Sequence, residues 1–540
     1  MLPKLCRFAT AIAAILACCQ SSAVVGDDRA VSVQTALQLG LELGPATTVI
    51  EEPLDQYGYP DYIQYLNRPF HADFQRDESF WAGFFEQIGY TENASPEVLA
   101  AIAEHLDVAP PAKSLTLVDL DVLVLNTQYD AQGNVREMIR PWSRRERPDF
   151  ATYLDERSEL LDRLRALSIR PDPTAPVVID NPRFNFIADQ TNLLPQMLRR
   201  VMSPLCCRAM MHLGEHDLDE CRNDLLCLYL LARQSEQGWS LMGHRVADLM
   251  RREALQGTVA WLNREPRPLS ELDARWKAFT GVIEPPPIAQ HLMVGEYFLF
   301  ADLLLKVVSR QTSVYDLRSG LGWVDDLDPL DGDRKNLTID QWNNLLLTLQ
   351  WTVDCADATA SLREARSMFR HLALSVDDLD AAESRKLMAS IDDRIASARH
   401  RFQVLWRDVE SLPQVTEEDR LLASRLLFGT WIGPTQDIVK WRRAAHVPAA
   451  LLQAAVVARR WELAQAKWPA DWRQFVTLTA QELPNDPFGD GPLRVRPVKQ
   501  GLMIYSIGPD EVDSEGVGHP DQIAGQPDDL AIVVGRLSDW

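Results

Sequence analysis

Two stretches of this chain carry side chains whose types and spacing could do chemistry. Residues 501–540 hold eight acids (Asp510, Glu511, Asp513, Glu515, Asp521, Asp528, Asp529 and Asp539) against one base, Arg536. Carboxylates crowded on a loop repel one another, and a divalent cation removes that repulsion. Ca²⁺ takes about 6–8 oxygen ligands at roughly 2.3–2.6 Å in flexible geometry, so a loop of Asp side chains and carbonyls suits it. The second stretch, His212-Leu213-Gly214-Glu215-His216, spells H-x-x-E-H. On one unbroken helix the two histidines would share a face and grip zinc, with Glu215 as general base of a metal-dependent hydrolase. Gly214 in mid-motif, followed by Asp217 and Asp219, suits a turn between two helices better.

Other candidates are weaker. Asp325, Asp326, Asp328, Asp331 and Asp333 miss the EF-hand spacing, since Asp328 and Asp331 are three apart. His244, near Arg245 and Asp248, reads as a single structural histidine on a helix. Trp406, Trp431, Trp441, Trp461, Trp468 and Trp472 read as packing anchors rather than sugar platforms. The sequence contains no G-x-S-x-G, Walker loop or dinucleotide fingerprint. A net charge of −22 without a basic block argues against nucleic acid, whose phosphates need cationic partners, and against docking on anionic lipid.

The elements that must position these residues are mostly helical. Residues 75–107 read as helix, with Phe80, Trp81, Phe84 and Phe85 on one face; Val118–Asn126 reads as a strand by its alternation, with a buried helix as the alternative. Pro141-Trp142-Ser143 opens a helical run through Leu167, with Ser143 as N-cap and Leu154, Leu160, Leu161, Leu164 and Leu167 at helical spacing. Residues 190–263 read as helix upon helix, and further helices are expected at 268–280, 286–310, 338–370, 376–410, 416–430 and 444–467. The tail changes character. Leu493–Val498 and Leu502–Ile507 read as a β-hairpin across Lys499-Gln500-Gly501, and Leu530–Val534 as a third strand. The fold class expected is mainly α, an array or bundle of helical hairpins, with a small C-terminal β-hairpin module.

Residues 1–23 read as an export signal. Lys4 and Arg7 precede the apolar run Phe8–Cys18, and Ser21-Ser22-Ala23 offers cleavage after Ala23. Lipoprotein processing at Cys18 is the alternative; an uncleaved anchor is disfavoured because the run falls short of the ~20 residues needed to span a bilayer. No later segment reads as a membrane span. Beyond the signal, five cysteines remain: Cys206, Cys207, Cys221, Cys227 and Cys355. A helical hairpin turning near Gly214 would set Cys206 or Cys207 opposite Cys221, which leaves two readings open, one bridge or buried free thiols.

The tail resembles the C-terminal part of the major pseudopilins of type II secretion. The matching residues are Asp486-Pro487-Phe488-Gly489, Tyr505-Ser506-Ile507-Gly508-Pro509-Asp510, Asp528-Asp529 and Trp540, in order. The N-terminus lacks the pseudopilin processing signature, and Glu511 stands where that family carries Gly. The whole chain is similar to uncharacterised exported helical proteins of planctomycete-type bacteria. That likeness rests on Pro141-Trp142-Ser143 with Pro148, on Leu213-Gly214-Glu215 followed by Asp224-Leu225-Leu226, and on Gly295-Glu296-Tyr297.

The pseudopilin resemblance implies a calcium site at Asp510, Asp528 and Asp529, completed by carbonyls near Ile507 and Val512. The organisation expected is a signal over 1–23, a mixed region over 24–140, a helical domain over 141–440, and a pseudopilin-like helix plus β-hairpin tail over 441–540. The functional expectation is an exported, non-enzymatic binding or scaffolding protein of the periplasm or cell envelope, with a protein or envelope component as partner. The alternatives are the hydrolase on His212, Glu215 and His216, and an accessory of a secretion system.

Overall fold

Helical periodicity dominates the chain, and the architecture follows it. The structure, a computed structural model, describes residues 33–72, 74–89, 95–110, 136–178, 193–238, 240–264, 269–312, 348, 350–377, 382–407, 415–431, 435–465, 483–498, 501–517 and 529–535. The expected signal, the strand at Val118–Asn126, the loop bearing Asp325 to Asp333, and Trp468, Trp472, Asp528 and Trp540 lie outside these residues. Along the chain run helices α1 (Phe80–Gln87), α2 (Ser158–Ser168), α3 (Leu193–Gly214), α4 (Leu218–Glu236), α5 (Leu241–Arg264), α6 (Tyr297–Val308), α7 (Ala358–Val376), α8 (Ala382–Arg407), α9 (Leu422–Trp431) and α10 (Thr435–Gln465). Strands β1 (Arg494–Val498), β2 (Gly501–Ser506) and β3 (Leu530–Gly535) follow as an antiparallel sheet in the order β1-β2-β3. The fold is thus mainly α with a small C-terminal sheet, as the sequence predicts. No helix among the described residues is long and apolar enough to cross a membrane.

Several expected helices are divided. The stretch 75–107 splits into α1 and a helix at Pro96–His105, with Gly89 at φ +97° between them. The run to Leu167 breaks at Arg157, leaving Pro148–Glu156 and α2. α10 begins at Thr435, ahead of the expected 444, and carries Pro448 in its interior. Apolar spacing continues from Leu154 to Leu161 across Arg157, so periodicity alone does not reveal that break, whereas the stretch Gly89 to Pro96 is polar and carries its own stop and cap residues.

The chain forms two units, each assembled from three separate segments. The first comprises Met1–Arg68, Val177–Gln190 and Pro287–Val439; the second comprises Pro69–Pro176, Thr191–Pro286 and Lys440–Trp540. In the first, α6, α7, α8 and α9 pack around Phe300, Phe369 and Phe428, whose rings meet edge to face, Phe369 and Phe428 at 4.9 Å. Asn67 acts as a surrogate peptide here: its amide donates to the Val177 carbonyl at 2.7 Å and accepts the Val177 N–H at 2.9 Å.

In the second unit α3, α4 and α5 pack against one another, with α2 on α4 and α1 on α2. A single turn joins α3 to α4. His216 takes φ +64°, and Asp217 caps α4 by accepting the Glu220 N–H. Gly214 is required by packing: a Cβ there would lie 2.0 Å from the Trp142 carbonyl oxygen. Beneath the turn Arg208 grips Asp224 with two bonds, Nε to Oδ2 at 2.8 Å and Nη2 to Oδ1 at 2.6 Å, while its Nη1 reaches Asp162 at 2.9 Å. Asp224 is fully buried, and Arg165 lies 3.5 Å away. One carboxylate therefore ties α2, α3 and α4. Burial raises the Asp224 pKa; the Arg208 and Arg165 charges oppose the shift without cancelling it. Cys206, Cys207, Cys221 and Cys227 are buried free thiols, and burial raises the pKa of each.

The sheet docks on α5. Asn263 accepts the Gly535 N–H at 2.9 Å and donates to the Val533 carbonyl at 3.1 Å, and Gln256, two turns earlier, reaches the Ala531 carbonyl at 3.5 Å. These amides continue the hydrogen-bond ladder along the outer edge of β3 and protect it from pairing with another chain.

Asp224→Asn leaves Arg208 buried beside a neutral amide and should cost roughly 3–5 kcal/mol of stability, whereas Asp162→Asn, at a half-exposed side chain, should cost under about 1 kcal/mol. Urea and thermal melts by circular dichroism check this, reading the earliest transition because a chain of two units need not unfold in one step. Equal losses in the two variants would contradict the clamp.

Candidate functional site

The C-terminal sheet presents its polar residues at one end, where β2 runs into the acidic loop. Asp486, buried in the Asp486-Pro487-Phe488-Gly489 turn, latches that turn to the end of β2. Its Oδ1 accepts from the Phe488 N–H at 3.0 Å and the Ser506 hydroxyl at 2.6 Å, and its Oδ2 from the Ile507 N–H at 3.0 Å. Asp510 Oδ1 accepts the Val512 N–H at 2.9 Å, the local turn typical of Asp. Asp513 Oδ1 accepts from the Tyr505 hydroxyl at 3.1 Å and the Glu515 N–H at 3.0 Å.

Asp529 closes the loop from the start of β3. Its Oδ2 accepts the backbone N–H groups of Ser514 at 3.1 Å and Gly516 at 2.8 Å. Among the described residues its Oδ1 is buried without a hydrogen-bond donor, and the residue is only 5% exposed. Burial raises the Asp529 pKa, the two N–H groups oppose it, and the charges of Asp513 and Asp510 push it further up. Two of the three expected calcium ligands, Asp510 and Asp529, thus belong to one electrostatic cluster. Asp528 lies outside the described residues. Among those residues no three His, Cys, Asp or Glu side chains converge closely enough to hold a metal ion.

Glu511 sits at φ +59°, a left-handed backbone that favours Gly. The Glu511 side chain meets Arg443 at 3.3 Å.

The residues of His212-Leu213-Gly214-Glu215-His216 do not share a face. α3 ends at Gly214, and His216 lies beyond it in the left-handed region. His212 Nε2 lies 4.0 Å from Asp224 Oδ2, and burial lowers its pKa. Glu215 Oε1 accepts the Arg144 backbone N–H at 2.8 Å. The geometry a zincin requires, two histidines one turn apart on one helix, is therefore not formed. The three residues serve the α3–α4 joint.

A second buried charge cluster is centred on His244. Arg251 holds Glu236 through two bonds, Nη2 to Oε2 at 2.5 Å and a shorter one from Nη1 to Oε1. His244 Nδ1 stands 3.8 Å from Glu236 Oε1, and Asp248 Oδ1 stands 3.7 Å from Arg251 Nη1. Glu236 and Arg251 are fully buried. Burial lifts the Asp248 pKa to about 7; Arg251, Arg252 and Arg442 pull it down, and Glu236 pushes it up. Sequence spacing could have placed Asp248 and Arg251 on one helical face. It gave no sign that Glu236, at the end of the preceding helix, completes the group.

The native state binds a proton at Asp248 more tightly than the unfolded chain, whose Asp titrates near 3.8. The neutral carboxyl favours folding at low pH, and this contribution falls as pH rises from about 4 to about 7. Asp248→Asn, permanently neutral, should raise the melting temperature at pH 8 and change it little at pH 4. Melting curves of both proteins across that range check this; an equal shift at both pH values would contradict it. No protein-family model, curated protein sequence or solved structure matches this chain.

Proposed function

We propose that this chain is an exported binding or scaffolding protein of the cell envelope whose C-terminal sheet is clamped by Ca²⁺ at Asp510, Asp528 and Asp529. The observation that carries the reading is the Asp529 carboxylate. One of its oxygens is anchored by two backbone donors and the other is buried with none among the described residues, beside the charges of Asp510 and Asp513. A buried carboxylate oxygen without a donor is costly, and a cation relieves both that cost and the repulsion. An oxygen-only donor set of Asp side chains and loop carbonyls fits Ca²⁺ better than zinc. The likeness of the tail to pseudopilins supports the same ion.

Since no three acidic side chains among the described residues converge on one point, binding in this reading draws the loop inward, so the ion acts on stability and shape together. The partner is a protein or envelope component. The buried ionic groups described above support a structural rather than catalytic use, because each is engaged in joining helices.

The mature chain tests this. Millimolar Ca²⁺ should raise the melting temperature at pH 7.5, since an ion held at 100 times its Kd stabilises the folded state by about 2.7 kcal/mol. Asp510→Asn should weaken the effect and Asp529→Asn abolish it. The gain should shrink as pH falls toward 4.5, because the raised pKa of Asp529 lets protons compete with the ion. A folded protein whose melting temperature ignores millimolar Ca²⁺ at pH 7.5 overturns the proposal.

A further inference from the structure

The first unit carries a polar feature that neither the helical packing nor the acidic tail explains. A groove of 460 Å³ runs along α8, lined by Lys386, Ser390, Asp393, Arg394 and Ser397, with Arg425 of α9 on its far wall. The α8 residues fall at intervals of three and four and so form one stripe of the helix. Ala389, Ser390 and Ser397 have short side chains, which keeps the groove open; larger residues there would fill it. The groove is shallow and open to solvent, with Lys386, Ser390, Asp393 and Ser397 all exposed.

The charge of the groove runs against that of the chain. The protein carries −22 overall, yet the wall presents three cations and one acid. Two of the cations are held in place. Glu364 of α7 places a single oxygen, Oε1, 3.4 Å from Arg394 Nη1 and 3.1 Å from Arg425 Nε. Glu364 is mostly buried, its side chain 16% exposed, and Arg425 is little more open at 19%. One carboxylate thus brings two guanidiniums together beneath the groove and satisfies about one of their two charges. Each guanidinium has five N–H donors, so both keep donors beyond the bond to Glu364. Arg425 is thus held before any ligand arrives, and Arg394, its side chain 35% exposed, is tethered more loosely beside it, which lowers part of the ordering cost of binding.

We infer that the α8–α9 groove binds a small molecule through an oxyanion of the phosphate type seated between Arg394 and Arg425, with hydroxyl groups on its body. Planar guanidiniums match the paired oxygens of such a group. Lys386 adds a mobile positive charge two turns away. Ser390 and Asp393 lie between, and Ser397 one turn beyond Arg394, as acceptors and donors for hydroxyls, and the single acid disfavours a ligand that is negative along its whole length. No aromatic ring lines the groove, so recognition rests on polar contacts rather than stacking on a sugar face. The site lies in the first unit, apart from Asp510 and Asp529 in the sequence and in its donors, so the fate of the calcium proposal does not decide it.

Isothermal titration of the full chain with inorganic phosphate and with glucose 6-phosphate tests the inference. Saturable binding of both is expected, tighter for glucose 6-phosphate, and weakened by 0.5 M NaCl as screening requires. Lys386→Gln lies away from the Glu364 pair and should weaken glucose 6-phosphate about tenfold, the loss of one charge-assisted contact. Ser390→Trp, at an exposed position, should fill the groove and abolish binding while leaving the melting temperature unchanged. Citrate competing as strongly as phosphate would keep the groove and assign its ligand to the carboxylates. No saturable binding of any of these anions to the folded chain overturns the inference, as does binding that Ser390→Trp leaves intact.

Discussion

The second unit depends on one buried carboxylate. Asp224 has no exposure, and Arg208 holds both of its oxygens while also reaching Asp162 on α2. Three helices meet at that point because the cost of burying a charge is met only while all the partners stay in register. α3 and α4 cannot slide without separating Arg208 from Asp224, and α2 is fastened to the same guanidinium. The tight turn at Gly214 and the cap at Asp217 complete the joint. α5 then packs on this pair and offers Gln256 and Asn263 to the sheet. The position of the C-terminal strands is therefore inherited, helix by helix, from an ion pair far away in the sequence.

That dependence explains why the most enzyme-like motif is occupied with architecture. His212 lies on the turn of α3 that faces Asp224, and Glu215 is drawn to the Arg144 N–H where the segment of Trp142 crosses Gly214. The stretches Pro141-Trp142-Ser143 and Leu213-Gly214-Glu215, which the sequence singles out separately, meet in space. Residue types suited to metal chemistry are equally suited to sealing a joint between helices, and only the backbone at 214–216 separates the two uses.

Much of the fold is legible in the sequence, and what escapes does so for identifiable reasons. The helical hairpins and the three strands follow from apolar spacing and from glycine and proline punctuation, both local signals. The break at Arg157 leaves the apolar spacing undisturbed, the one after Gly89 is marked by Gly89 and by Ser95-Pro96 at the start of the next helix, and Pro448 is accommodated inside α10 although proline normally ends a helix. Assembly of each unit from three segments is a property of long-range contacts, which local patterns do not encode. At the acidic loop, composition and resemblance single out Asp510 and Asp529. The latch made by Asp486 is hidden because an aspartate in a turn looks the same whether or not it reaches another strand. The groove on α8 has no motif at all: it arises from short side chains on one stripe and a glutamate from a third helix.

The interleaving of the units bears on the order in which the molecule can be made. Strand β3 pairs with α5 across some 270 intervening residues, as the Asn263 bonds to Val533 and Gly535 record. A polypeptide emerging from its N-terminus has α5 in place long before it has the strand that α5 receives. Until β3 has been made, the amides of Gln256 and Asn263 lack their strand partners, and the second unit stays incomplete. Contacts so distant along the chain slow folding, because a long loop must close before they contribute. Loss of Leu530–Gly535 would be felt not only in the sheet but at Gln256 and Asn263 on α5.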